Sequence, residues 1–200
     1  MSNRKGTCNR KTNESDVMVS INLDGSGVSD ISTGNGMLDH LLSQLAKHGL
    51  FDIVINTKGD CLQTGWHHTV EDTAIAFGRA FNEALGEGSG ITRMGHAIVP
   101  LDEALARVVV ALSGRGYGSI NLNLSDSTIN DLPGDLVRHF LLSFSTEAKL
   151  NLHATVLEGI NAHHKAEATF KALARALKVA VSLDPARAGQ IPSTKGSISE

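Results

Sequence analysis

The sequence predicts an α+β fold made by tandem duplication of a ββαβα unit, with two mixed four-stranded sheets and helices packed between and against them. Three observations carry that expectation. His-His-x-x-Glu is written twice, as HHTVE from His67 and as HHKAE from His163. A lone histidine precedes each motif, His40 and then His139, and each stands 11 residues before the apolar residue (Phe51, Leu150) that opens an alternating run. The order of hydrophobic patterns is also the same in residues 1–95 as in residues 96–200, so the chain reads as one pseudo-symmetric unit of two repeats.

In the first repeat, Val17, Val19, Ile21 and Leu23 alternate with polar residues, as a strand with one wet face does. The turn Asp24–Gly27, DGSG, follows, and a short strand is expected near Val28–Ser32. Leu38, Leu41, Leu42 and Leu45 fall at helical spacing, and Lys47, His48 and Gly49 close that helix. Phe51, Ile53 and Ile55 alternate as a strand, and the first motif opens a helix through Phe77, Phe81 and Leu85 to Gly86.

The second repeat follows the same order. Ala106–Leu112 is an apolar strand, SGRG at Ser113–Gly116 occupies the place of DGSG, and Ile120, Leu122 and Leu124 alternate. A helix is expected over Asp135–Phe144, and Leu150, Leu152, Ala154 and Val156 form a strand. The second motif opens a helix through Phe170, Leu173, Leu177 and Val181, stopped by Asp184-Pro185. Two helices cover only one face of a sheet, so the repeats are expected to share a core.

Composition narrows the function. The 200 residues suffice for a buried core. A net charge of −3 and a pI near 6.3 give no basic footprint for nucleic acid. No apolar run reaches the length of a membrane span, and the polar opening MSNRKGTCNRKTNESD lacks a signal-peptide core. Cys8 and Cys61 are too few for a disulfide framework, which suits a reducing cytoplasm.

Six of the nine histidines obey the repeat. On a helix, His67 and Glu71 are four residues apart and His68 and Glu71 three, so each pair shares a face; the same holds for His163, His164 and Glu167. Adjacent histidines diverge by about 100°. The simplest use of such a pair is to send each imidazole to a different ion. With His40 and His139, the chain offers six imidazoles and two carboxylates, enough for two ions with positions left for substrate. Imidazole and carboxylate together suit Mn, Fe, Co, Ni or Zn, and octahedral Mn²⁺ best fits this ligand count. No cysteine accompanies either motif, against a structural zinc knuckle, and HExxH is absent.

Anion binding has its own signals. Arg93 in GITR, Arg115 in SGRG, Lys171 beyond the second motif, and the Ser193-Thr194-Lys195-Gly196 loop offer guanidinium, ammonium, hydroxyl and backbone N–H groups to phosphate. Asp102 and Glu103 in PLDEAL could hold a metal-bound imidazole from behind or simply form a helical turn. His48, His96 and His153 fall outside the repeat and read as structural or surface residues.

LDGSG, STGNGMLDHLLSQLAKHGLFDI, HHTVEDTAIAFGRAF, GITRMG, PLDEALARV, LSGRGY, RHFLLSF, LHATVLEGINAHHKAEATFKALARAL and IPSTKGS together resemble the imidazoleglycerol-phosphate dehydratase family of histidine biosynthesis, from about Glu14 to Ser197. The resemblance implies a homo-oligomeric shell of 24 subunits with two Mn²⁺ per active site, built at subunit contacts. It implies His40, His67, His68, Glu71, His139, His163, His164 and Glu167 as metal ligands. It implies Arg93, Arg115, Lys171, Ser193 and Lys195 as contacts to a small phosphorylated imidazole substrate, with Gln44 nearby. Glu14 matches a carboxylate that reaches substrate, and the catalytic centre would comprise Glu14, His40, Glu71 and Glu167. Gly65-Trp66 stands where the family usually has two aspartates, Met37 and Leu41 at the ends of its usual FLDHM segment, and Met94–His96 where a Phe-Gly start is usual; none of these removes a ligand.

The implied reaction removes water although no carbonyl acidifies the hydrogen to be lost. Metal charge on both ring nitrogens would favour an imidazolate, which expels the neighbouring hydroxyl to give a diazafulvene. That intermediate acidifies the next C–H, and Glu14 or a metal-bound water takes the proton. The alternatives are a two-metal phosphoester hydrolase, which needs its ions about 3.5–4 Å apart, and a non-catalytic shell stabilised by metal.

Overall fold

Side-chain alternation becomes burial alternation in the computed structural model, which describes residues 4–59 and 65–198. Cys61 lies outside the described residues. Val17, Val19 and Ile21 point inward from β2 (Ser15–Asn22), while Met18 faces out. The same two-residue period runs through β4 (Asp52–Gly59), β6 (Ala104–Ala111) and β10 (Asn151–Glu158).

The first sheet has the order β1-β2-β4-β3, with β1 at Lys5–Lys11 and β3 at Ser29–Ser32. The second has the order β5-β6-β10-β7, with β5 at Met94–Leu101 and β7 at Tyr117–Asn121. Both sheets are mixed in the same way: β3 is parallel to β4 and β7 to β10, while the other neighbours are antiparallel. The duplication is therefore a duplication of topology. Both sheets have the four strands expected of them; the fourth in each is an edge strand, β1 or β5, that precedes the strands placed from the sequence and extends the ββαβα order at its start. A short hairpin, β8 (Thr128–Ile129) and β9 (Leu132–Pro133), is a further addition.

Among the described residues, four α-helices lie between the sheets. Helix α1 (Gly36–Gly49) begins where Asn35 Oδ1 accepts the Leu38 N–H at 2.8 Å, and ends at Leu50 in the left-handed region. Helix α2 (His67–Leu85) starts after Trp66, which packs on the core and supplies no side-chain cap. Helix α3 (Gly134–Glu147) follows β9, and α4 (Ala162–Val181) is capped by Asn161, whose Oδ1 accepts the N–H groups of His163 and His164.

Helix α2 covers β1 and β2, and α4 covers β5 and β6; α1 packs on α4, and α2 on α3. The shared core is aromatic at its centre. Phe77 of α2 stacks on Phe144 of α3 at 5.2 Å, and Phe140 meets Phe170 of α4 at 5.7 Å. Thus the few aromatics are spent across the junction of the repeats. The edge strands come very close to their helices. A Cβ on Gly6 would lie 2.0 Å from the Ala80 carbonyl oxygen, and one on Gly95 would lie 2.1 Å from that of Ala176. Among the described residues no helix is long and apolar enough to cross a membrane.

Candidate metal and phosphate site

Each motif histidine pair opens its helix, so ring directions follow from helix geometry. The rings of His67 and His68 lie 5.8 Å apart at 88°, and those of His163 and His164 lie 6.1 Å apart at 71°. Only the first member of each pair turns toward its own motif glutamate.

Two clusters result, and each mixes the repeats. His40 Nε2 from α1 and His163 Nε2 from α4 both stand 2.9 Å from Glu167 Oε2. In the other, His67 Nε2 lies 3.9 Å from Glu71 Oε2, and His139 Nε2 from α3 lies 3.3 Å from Glu71 Oε1. Within each cluster three donor atoms, two imidazole nitrogens and a carboxylate oxygen, fall within 4.8 Å of one another. His40 and His139 thus join the motif of the opposite repeat, a pairing that equal spacings in the two halves leave open.

The clusters fit a cation. His139 Nε2 is buried and has no hydrogen-bond partner, since its approach to Glu71 lacks hydrogen-bond alignment. An orphaned polar atom of this kind is costly, and ligation through its lone pair would satisfy it. Around Glu167, burial acts to raise the carboxyl pKa, but hydrogen bonds from His40, Lys171 and His163 outweigh it and hold the group at about 2. The oxygens are therefore anionic at neutral pH, as a hard or borderline divalent ion requires.

The second histidine of each pair meets a carboxylate from a hairpin turn. Glu14, between β1 and β2, brings Oε1 to 3.6 Å from His68 Nε2. Asp102, between β5 and β6, brings Oδ2 to 3.7 Å from His164 Nε2, and Glu103 brings Oε2 to 2.6 Å from His164 Nδ1. The hydrogen bond from His164, then the Asn161 N–H, hold Glu103 at about 2, and Glu103 in turn raises the His164 pKa. PLDEAL forms no helical turn: Asp102 and Glu103 make a hairpin turn between two strands, and Glu103 holds an imidazole.

Arg93, Ser113, Arg115, Ser193, Thr194, Lys195, Ser197 and Ile198 line a cleft of about 150 Å³. Arg93 donates from Nη1 to the Pro192 carbonyl at 2.6 Å and from Nε to that of Leu112 at 3.3 Å, so it anchors the C-terminal segment. Arg115 is exposed at the mouth, and the Lys195 N–H is turned onto Ser193 Oγ at 3.2 Å. Ser197 and Ile198 complete a lining whose other members stand in GITR, SGRG and STKG; the hydroxyl of Ser197, next to STKG, is the signal that could have found it. Lys171 stands elsewhere. Its Nζ lies 2.7 Å from Glu167 Oε1, one helical turn back, so within one copy it stands beside the cluster on α4 and apart from this cleft. Gln44 is held near His40, donating to its carbonyl at 3.3 Å.

Comparison with known proteins points one way. A sequence model described as imidazoleglycerol-phosphate dehydratase matches residues 33–177. Imidazoleglycerol-phosphate dehydratase of Dehalococcoides mccartyi is 54% identical over 198 residues, covering 99% of each chain. That of Gluconobacter oxydans is 50% identical over 193 residues, covering 96% of this chain and 97% of the relative. The crystal structure of the Staphylococcus aureus enzyme superposes with a TM-score of 0.80 at 34% identity, over 90% of this chain and 99% of that one. The Pyrococcus furiosus structure gives the same TM-score, 0.80, at 33% identity, over 94% of this chain and 98% of the other.

Proposed function

The chain belongs to the imidazoleglycerol-phosphate dehydratase family, and from that premise we propose that it removes water from imidazoleglycerol phosphate, with two Mn²⁺ per site, to give the imidazole-bearing oxopropyl phosphate of histidine biosynthesis in the cytoplasm. One observation carries the two-metal part: two clusters of like composition, His40–His163–Glu167 and His67–Glu71–His139, to set against the two nitrogens of the proposed substrate's ring.

Bound at these clusters, Mn²⁺ would supply the positive charge that makes an imidazole ring a good electron source. The chain's own residues do the rest. Histidines and glutamates hold the ring nitrogens' partners in place, and Arg115, Lys195 and the serines of the cleft hold the phosphate. The hydroxyl on the carbon next to the ring leaves as water, taking the proton that the ring N–H gives up. Glu14 takes the proton from the following carbon, and the resulting enol becomes the ketone.

Distance supports a site shared by more than one copy. The Arg93 N–H bonds the Ala180 carbonyl, 13 residues along α4 from Glu167. At 1.5 Å per residue the cleft and that cluster are about 20 Å apart, too far for a glycerol phosphate chain. His68 and His164, turned away from their own clusters, and Glu14 beside His68 are then the groups one copy lends to another. We propose a closed homo-oligomer, of 24 subunits as in the family resemblance, with sites at subunit contacts.

The test is incubation of purified protein plus Mn²⁺ with imidazoleglycerol phosphate. Appearance of the enolisable ketone, its loss on chelation and its return with Mn²⁺ are expected. Release of inorganic phosphate with no ketone would instead mark a phosphoester hydrolase.

A further inference from the structure

Glu103 has both carboxylate oxygens committed. Oε1 accepts the backbone N–H of Asn161 at 2.7 Å and of Ile160 at 3.2 Å, and Oε2 faces His164 Nδ1 at 2.6 Å. A backbone N–H can only donate and an ionised carboxylate can only accept. The hydrogen between Glu103 and His164 therefore belongs to Nδ1, and the lone pair of the neutral imidazole sits on Nε2. That Nε2 belongs to neither cluster of its own chain. The surroundings lock the ring in place: Asn161 Oδ1 accepts the His164 N–H at 3.3 Å, and the segment that holds Glu103 is the one that starts α4.

We propose that Glu103 is a positioning residue that sets the tautomer of His164, so that Nε2 is presented as a metal donor to a cluster of a neighbouring copy. This rests on the two-metal reading above. Through two backbone N–H groups, Glu103 also ties the β5–β6 turn to the N-terminus of α4, so ring orientation and tautomer are fixed by one side chain.

Glutamine separates this role from simple bracing. In Glu103→Gln the amide oxygen is demanded by the two backbone N–H groups, which leaves its NH₂ facing His164 Nδ1. Nδ1 must then accept, the hydrogen moves to Nε2, and the donor atom is blocked. Glu103→Ala leaves Nδ1 to water and the tautomer free. A bracing role ranks the isosteric glutamine above alanine; a tautomer role ranks it below.

The experiment is calorimetric Mn²⁺ titration of the full-length wild type and both variants, with oligomer size and melting temperature measured on the same samples. The expected result is two Mn²⁺ per chain in wild type. Glu103→Gln loses about 10–100-fold in affinity at one class of site, keeps the other, and binds more weakly than Glu103→Ala despite a smaller loss of melting temperature. Glutamine binding as wild type does, or as well as alanine or better, overturns the proposal while leaving the two-metal reading intact. A wild type that takes up no Mn²⁺ overturns both.

Discussion

His40 Nε2 stands 2.9 Å from Glu167 Oε2, so the lone histidine of the first repeat completes the motif of the second. His139 does the reverse at Glu71, at 3.3 Å. Neither repeat owns a cluster. Each cluster comes into being only when α1 docks on α4 and α2 on α3, and the second of these contacts also stacks Phe77 on Phe144. Core formation and assembly of the two clusters are one event, so a metal bound there would be coupled to stability.

The first prediction follows from that crossing. His40→Ala should abolish the site of Glu167 and spare that of Glu71, and His139→Ala the opposite. Metal titration should fall from two Mn²⁺ per chain to one in either variant and to none in the double variant. The loss of affinity at the altered site should exceed the ~10–100-fold typical of residues that only support a ligand. A single substitution that empties both sites would show that the clusters are not independent.

The second prediction concerns the close approach of strand and helix. A Cβ on Gly95 meets the Ala176 carbonyl oxygen at 2.1 Å and the Ala180 nitrogen at 2.9 Å, both backbone atoms of α4 that cannot rotate away. Gly95→Ala should therefore cost about 1–3 kcal/mol, read as a lower midpoint in urea with unchanged m-value. Gly6→Ala should behave alike against Ala80 and Ala84. Gly36→Ala, with open space at its Cβ, should sit near wild type.

These glycines also explain what the sequence did and did not make legible. Strands with large inward residues, such as Val17, Val19 and Ile21, announce themselves. Strand β5 turns Gly95, Ala97 and Val99 inward and Met94, His96 and Ile98 outward. Its inward face must be small because α4 lies so near, so the usual size pattern is inverted and the strand escapes a reading by hydrophobicity. The ligand types and the repeat were readable because both rest on local spacing. The exchange of His40 and His139 between motifs was not, since spacing along the chain is the same whichever helices dock. Lys171 was legible in another way: its spacing of four from Glu167 already spelled the ion pair that the structure has beside the cluster.

The third prediction is one of pH. Backbone N–H groups of Ser26 and then Val28 hold the Asp52 carboxyl below its ordinary value. A folded-state pKa below the unfolded one, near 3.9, stabilises the fold above that value and is lost as pH falls through the folded pKa. Asp52→Asn keeps an acceptor for the Ser26–Val28 turn but removes the titration. Its stability should therefore fall less steeply than that of wild type between about pH 4 and pH 2. The difference should be on the order of a few tenths of a kcal/mol, because the carboxylate is solvated. Parallel acid-unfolding curves for the two proteins would show that this turn contributes nothing to the pH dependence.

The last prediction separates two arginines that line one cleft. Arg93 is spent on the protein itself, with Nη1 on the Pro192 carbonyl and Nε on that of Leu112. Arg115 is exposed at the mouth of the cleft. Loss of a charged hydrogen bond costs about 1.5–3 kcal/mol. Arg115→Ala should thus raise KM for imidazoleglycerol phosphate by about 10–100-fold, with two Mn²⁺ still bound per chain and the C-terminal segment still protected. Arg93→Ala should raise KM as well, but it should also release residues 191–198 from the Leu112 strand end. Limited trypsin digestion should then cut at Lys195 faster than in wild type or Arg115→Ala. Equal protection of Lys195 in all three proteins would mean that Arg93 does not anchor that segment, and that its two carbonyl contacts are incidental to the shape of the cleft.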